Sequence, residues 1–274
     1  MKEYYKYSTE EFVKKAHFPV IVKEDNDTIF RELAKIMYDT IKANNDRGEI
    51  SVLVNPVGPT AHYKYFVQMV NENRLSLKDC WFINMDEYLT DDNEWIDKNN
   101  RLSFRGFMQN NVYDKIDPEL NVPEDHRIFP NPKKLQEIPD LLKKLGKLDL
   151  VVGGIGITGH VAFNEPMPYM SVDAFLNLPT RTLAITPMTR ATNACNDMHG
   201  AMEEMPYRAI TIGMKEIFSA KRIVLGCFRD WHRGVVRHAA CAEPTASFPV
   251  TTLQKHPNMS LYISKGVADY SFDD

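Results

Sequence analysis

The stretch Leu148-Asp149-Leu150-Val151-Val152-Gly153-Gly154-Ile155-Gly156-Ile157-Thr158-Gly159-His160-Val161-Ala162-Phe163-Asn164-Glu165-Pro166 decides how the chain is read. Leu148 to Val152 is an apolar run of strand length. Gly153, Gly154, Gly156 and Gly159 then let the backbone come close to whatever occupies the strand's C-terminal end. His160 and Glu165 follow in one polar, non-helical segment. Strand, glycine turn and acid/base pair together predict a small-molecule site in an open α/β sheet, where ligands sit beyond the carboxyl ends of strands. A plain tight turn with a surface histidine and glutamate would need neither so many glycines nor two titratable groups.

Outward from this stretch, helical and strand patterns alternate. Ile29, Phe30, Leu33, Ile36, Met37 and Ile41 recur at helical spacing behind a cap at Asp25 or Asn26. Ile50 to Val54 reads as a strand entering Asn55-Pro56-Val57-Gly58-Pro59-Thr60, and Tyr63, Phe66, Val67 and Val70 mark the next helix. Cys80 to Ile83 is a strand that delivers Asn84-Met85-Asp86-Glu87, and Leu135 to Leu145 is a helix before the glycine-rich unit. Further strands are expected at Thr182 to Ile185, Ala209 to Ile212, Arg222 to Leu225 and Leu261 to Ile263. The alternation predicts an α/β fold: a Rossmann-like open, mostly parallel sheet with helices on both faces. One domain over 1–274 is expected. Weak order is expected in Thr90 to Asn100 and in Met167 to Pro179, with a lid around 167–200.

Composition narrows the function. A hydrophobic content of 43% in 274 residues supports a sizeable core, and a net charge of -4 argues against nucleic acid or an anionic membrane as partner. Cys80, Cys195, Cys227 and Cys241 show no C-x-x-C spacing, so neither a zinc site nor a disulfide framework is suggested. Met1-Lys2-Glu3-Tyr4-Tyr5-Lys6 lacks a signal-peptide core, and no apolar stretch is of transmembrane length; a cytoplasmic protein is the expectation.

Three strand ends carry the polar groups of interest. Asn55 to Thr60 can offer N–H groups and the Thr60 hydroxyl to an anion at a helix start, although Pro56 and Pro59 contribute no N–H. Of the adjacent Asp86 and Glu87, one could serve as general base while the other holds a loop or caps a helix. His160 can move protons near neutral pH, with Glu165 to fix its tautomer. A metal site at Asp86, His160 and Glu165 ranks low, because the ligands are far apart and no second histidine lies nearby.

These segments carry a family resemblance. The chain resembles the glucosamine-6-phosphate deaminase/isomerase family, whose superfamily includes the 6-phosphogluconolactonases. It does so at Asn84-Met85-Asp86-Glu87-Tyr88, at Gly153-Gly154-Ile155-Gly156, and at Gly159-His160-Val161-Ala162-Phe163-Asn164-Glu165-Pro166. Further matches are Thr189-Arg190-Ala191-Thr192-Asn193, Ala209-Ile210-Thr211-Ile212-Gly213 and Leu253-Gln254-Lys255-His256-Pro257. The Phe-Asn-Glu-Pro ending favours the amino-sugar branch. The resemblance implies conversion of a hexosamine 6-phosphate, gluco or galacto, to a ketohexose 6-phosphate and ammonia. By position it implies Asp86 as the base between C2 and C1, His160 as ring opener and Glu165 as its support. It also implies a phosphate and substrate cradle from Gly58, Thr60, Gly154, Gly156 and Gly159, with no metal and no cofactor. A sugar phosphate is the expected partner, and a homo-oligomer is left open.

The departures are local. Thr158 stands where the family has an aspartate that works with the histidine and glutamate, and Pro56-Val57-Gly58 replaces a Thr-Gly-Gly type turn. Cys195 occupies the place of a lid arginine. Arg229 matches the phosphate-binding lysine directly, and Arg233 is a second candidate one helical turn on. A divergent member is expected. The competing readings are a sugar-phosphate lactonase, which needs no C2 base, and a silent sugar-phosphate binder. The bland reading covers His232 and His238, which receive no catalytic role, and Trp81, Trp95 and Trp231, read as packing.

Overall fold

The computed structural model describes residues 1–270. In chain order its elements are α1 (Thr9–Lys15), β1 (Val20–Lys23), α2 (Asn26–Asn45), β2 (Ser51–Asn55), α3 (His62–Glu72), β3 (Cys80–Asn84), β4 (Asp86–Leu89), α4 (Phe104–Asn111), β5 (Arg127–Ile128) and α5 (Glu137–Leu145). There follow β6 (Leu150–Gly154), α6 (Val172–Leu176), β7 (Arg181–Ala184), α7 (Pro187–Asp197), β8 (Arg208–Thr211), α8 (Met214–Phe218), β9 (Ile223–Cys227), α9 (His232–Cys241), β10 (Met259–Ser264) and α10 (Lys265–Ala268), with short 3-10 turns between.

A seven-stranded parallel sheet in the order β1-β10-β9-β6-β2-β3-β5 forms the centre. Its inner strands read as unbroken apolar runs because both faces are covered. The period-two alternation divides them. Val52, Val54, Ile83, Val151, Leu225 and Leu261 face a layer that includes Phe12, Ile138, Ile217 and Val236. Leu53, Phe82, Leu150, Val152 and Val224 face α2 and α3 through Leu33, Met37, Tyr63 and Phe66. α2 starts where the sequence places it: the Asp25 carboxylate accepts from Thr28 N at 2.8 Å as an N-cap.

The chain leaves β2 for β3 on one side, while the next strand of this sheet after β6 is β9 on the other. The adjacent pair β2 and β6 is therefore a topological switch point, and their C-terminal ends diverge to form a crevice.

The strands expected at 182–185 and 209–212 form, but outside the parallel sheet. β7 and β8 pair antiparallel with each other and with β4, in the order β4-β8-β7. The chain turns out of the central sheet at Met85, whose carbonyl accepts from Ile212 N at 2.7 Å. β7 is half-buried or exposed along its length, unlike the fully buried β2. That difference in patterning is what separates an edge ribbon from an inner parallel strand.

The two segments expected to be weakly ordered are instead tied down. Trp95 bridges to Leu89 and donates from Nε1 to Pro130 O at 2.8 Å. Within 167–179, α6 is capped by Ser171, buries Phe175, and is anchored by Met167 N to Ala246 O at 2.9 Å. No helix among the described residues is long and apolar enough to cross a membrane.

Candidate active site

A cleft of about 710 Å³ opens at the switch point. Its floor is made by three strand ends that approach closely at glycine. A Cβ added at Gly154 would lie 3.0 Å from Pro59 Cδ, 3.4 Å from Gly58 O and 3.5 Å from Gly226 O. Gly58, Thr60, Gly154 and Gly156 all line the cleft, together with Asp86 and His160. Residues separated by a hundred positions in the chain thus meet because parallel strands end on the same side of a sheet.

Asp86 and Glu87 take separate roles, since successive side chains of a strand point to opposite faces. Glu87 is fully buried and collects donors: Tyr88 N at 2.9 Å, Phe104 N at 3.0 Å, Arg105 N at 2.9 Å, Ser103 Oγ at 3.1 Å and Arg105 Nε at 3.2 Å. It holds the N-terminal end of α4. Burial raises its carboxyl, against the pull of those donors. Asp86 faces the cleft, and among the described residues no donor hydrogen-bonds its carboxylate. Burial and then the neighbouring Glu87 charge push its carboxyl well above the ordinary range. Of the two carboxyls Asp86 is raised the further and is the one that reaches the cleft, which makes it the stronger base once ionised.

His160, Thr158 and Glu165 form a chain. Thr158 Oγ1 donates to Glu165 Oε2 at 2.9 Å and lies 2.8 Å from His160 Nδ1. A hydroxyl has one proton, so the proton on the second bond belongs to His160 Nδ1. The neighbouring acceptors agree: Thr189 Oγ1 is 3.3 Å and Glu165 Oε2 3.5 Å from the same nitrogen. His160 Nε2 is then the ring nitrogen left to exchange protons in the cleft. Burial alone would raise the Glu165 carboxyl, but hydrogen bonds with His160, Thr189 and Thr158 outweigh it and hold it below the usual range. Thr186, through its N and Oγ1, fixes the other oxygen at 3.3 and 3.2 Å.

Gly156 makes this placement possible. A Cβ there would lie 2.0 Å from His160 Cε1 and Nε2. Gly156→Ala is expected to displace the imidazole and lower kcat at least tenfold, with the melting temperature little changed. Steady-state kinetics beside a thermal melt checks this; undiminished kcat would mean that the ring position does not matter.

Of the remaining sequence-predicted residues, Arg229 lines the cleft and Arg233 does not. Arg233 Nη2 lies 3.7 Å from the exposed Asp230 carboxylate. Gly159 also lies outside the lining; its φ of +78° suits a turn, and a Cβ added there would lie 2.5 Å from Phe248 Cδ1. Thr158 acts only through His160 and Glu165. None of residues 167–192 lines the cleft, and neither does Cys195, whereas Asn193, Asn196, Asp197 and His199 do.

Arg101, which the sequence does not single out, also lines it, as does His232, which receives no catalytic role from the sequence. His232 Nδ1 accepts from Arg229 N at 2.9 Å and Phe228 N at 3.2 Å, while Nε2 lies 2.9 Å from Ile155 O and donates to it. Burial lowers its pKa to about 4, so the ring is neutral and ties the Arg229 loop to the glycine turn after β6. Its position four residues beyond Phe228 was the available signal. Among the described residues, no group of three or more His, Cys, Asp or Glu is arranged to hold a metal ion.

Comparison with known proteins gives consistent matches. No family model matches the chain. A glucosamine-6-phosphate deaminase of Mycoplasma mycoides subsp. mycoides SC is 31% identical over 252 residues, 91% of this chain and 96% of that protein. A glucosamine-6-phosphate deaminase of Exiguobacterium is 29% identical over 251 residues, 91% of this chain and 90% of that protein. Among solved structures, a monomeric glucosamine-6-phosphate deaminase of the NagB superfamily superposes with a TM-score of 0.80 at 23% identity, covering 93% of this chain and 100% of its own. A 6-phosphogluconolactonase from Leishmania guyanensis superposes at 0.63 with 16% identity, over 91% of this chain and 97% of that one.

Proposed function

The chain belongs to the glucosamine-6-phosphate deaminase family, and on that premise we propose how its cleft releases ammonia from a hexosamine 6-phosphate. The chain is an enzyme that deaminates and isomerises such a sugar to a ketohexose 6-phosphate. One observation carries the assignment of roles: a buried carboxylate that no described residue hydrogen-bonds, Asp86, shares a cleft with an imidazole whose Nδ1 is pinned, His160.

His160 Nε2 takes the proton of the anomeric hydroxyl and returns it to the ring oxygen, opening the sugar. Asp86 removes the proton from C2 of the open 2-ammonio aldose while the ammonium group passes one proton to the C1 oxygen, giving an enolamine, and Asp86 then delivers its proton to C1. The resulting C2 iminium adds water and expels ammonia, leaving the ketone. Protons are conserved through both residues, and the water consumed appears in the ketone oxygen. Thr158 and Glu165 stabilise His160 while it carries the extra proton, in the manner of a carboxylate that orients a catalytic imidazole. The backbone at Gly58 and Gly154, the Thr60 hydroxyl and Arg229 receive the phosphate end. The cover of the cleft is assigned to 193–199, the C-terminal part of the span read as a lid. Asn193 Nδ2 ties it to Tyr88 Oη at 2.9 Å.

Glucosamine 6-phosphate is the first sugar to test, since the relatives are named for it. Purified protein is supplied separately with glucosamine 6-phosphate and galactosamine 6-phosphate, and ammonia is measured. Release from one of them, absent in Asp86→Asn, is the expected result and identifies the epimer. No release from either sugar sinks the reading. Lactone hydrolysis that survives Asp86→Asn would replace it, since that reaction needs no C2 base.

A further inference from the structure

Arg101 and Arg229 are, among the described residues, the only lysine or arginine side chains lining the cleft. A phosphate ester is close to a dianion at neutral pH, and a chain of net charge -4 must concentrate cations locally to hold one. Arg229 is already placed, with Nη1 donating to Asn196 Oδ1 at 2.8 Å. Arg101 sits across the mouth, in the loop before α4. Its backbone surroundings are fixed: Leu102 N donates to Asn100 Oδ1 at 2.9 Å and Ser103 N to Asn100 O at 2.9 Å. Ser103 Oγ in turn donates to Glu87, the buried neighbour of Asp86. The loop is thereby held in register with the proposed base.

The guanidinium itself is exposed, and among the described residues no acceptor hydrogen-bonds it. A rigid loop that presents an unbonded guanidinium to a cleft contributes little to stability and is suited to a ligand. Asp197, the last residue of α7, lines the same cleft, and burial raises its carboxyl against the lowering influence of Arg229 and Arg101.

We propose that Arg101 is the second phosphate-binding side chain of the cleft, acting with Arg229. This rests on a hexosamine 6-phosphate being the substrate. The planar guanidinium fork matches two phosphate oxygens at once, and a dianion attracts two such groups more strongly than one carboxylate does.

The test pairs steady-state kinetics with titration of inorganic phosphate into the full chain. Arg101→Ala is expected to raise both KM and the phosphate Kd about tenfold to a hundredfold, as loss of a charge-assisted hydrogen bond does, with kcat changed less than about threefold. Arg101→Lys recovers part of the loss. Wild-type KM and phosphate Kd in Arg101→Ala would overturn the assignment of Arg101. Should the wild-type enzyme release no ammonia, the functional reading fails, while the phosphate titration still decides the case of Arg101.

Discussion

Replacing Asp86 by Asn is expected to remove ammonia release almost completely while making the protein more stable. The catalytic loss follows from the chemistry: an amide cannot take the C2 proton, and a positioned general base contributes about 10²–10⁴-fold. The stability gain follows from the burial. Asp86 is buried, has no hydrogen-bond donor to its carboxylate among the described residues and lies beside buried Glu87, so its folded-state pKa lies well above the unfolded value. Below the unfolded pKa the carboxyl is neutral in both states and carries no penalty. As pH rises through the folded pKa, the folded protein must carry a buried charge, and stability is lost relative to the amide. The difference in melting temperature between Asp86→Asn and wild type is therefore expected to be small in acid, to grow as pH rises and then to level off. For a chain of this size each kcal/mol relieved is worth roughly 2–4 °C. The same shift places the acidic limb of kcat/KM above the ordinary carboxylate range, since the base must be ionised to act. A melting difference that is flat with pH, or an inactive variant less stable than wild type, would show that Asp86 is not a strained base.

The second large effect concerns Thr158. Thr158→Val keeps the shape and removes the hydroxyl that links His160 to Glu165. It leaves a buried carboxylate short of a donor and an imidazole short of its nearest acceptor. We expect kcat to fall about tenfold to a hundredfold, less than removal of the proton-transfer group itself. Thr158→Asp keeps an acceptor at His160 Nδ1 but offers no proton to the Glu165 carboxylate and sets a second carboxylate beside it. Steady-state kinetics on the two variants separates the roles: valine removes both contacts, while aspartate shows whether an acceptor at the ring sustains kcat by itself. A Thr158→Val enzyme with wild-type kcat would mean that the relay is only structural.

Much of this was legible before any coordinates. The parallel-sheet class follows from local pattern, because strands buried on both faces must be apolar throughout and helices between them must be amphipathic. Asp86, His160 and Glu165 stand out for a related reason: polar, titratable residues directly after an apolar strand are placed by the strand itself. Arg233 and Gly159 lie outside the cleft lining because neither belongs to such an end. The first lies inside α9, where rotation about the helix axis decides what a side chain meets, and the second serves the backbone of a turn.

The residues that only the tertiary structure supplied share one property: their neighbours are distant in sequence. Arg101 lies in a loop whose position depends on the buried Glu87 carboxylate, and His232 matters through a carbonyl at Ile155. The direction of β7 and β8 likewise rests on pairing with β4, which local propensity does not encode. Thr158 lies between these cases. The chain alone shows an uncharged residue beside His160, but only its distances to Nδ1 and to the Glu165 carboxylate make it a link with a defined proton direction. Local pattern determined the sheet and the ends of its strands, because periodicity and strand direction act within a few residues. The tertiary structure decided which loops meet across the cleft, because that depends on how separate strand ends and helices pack against one another.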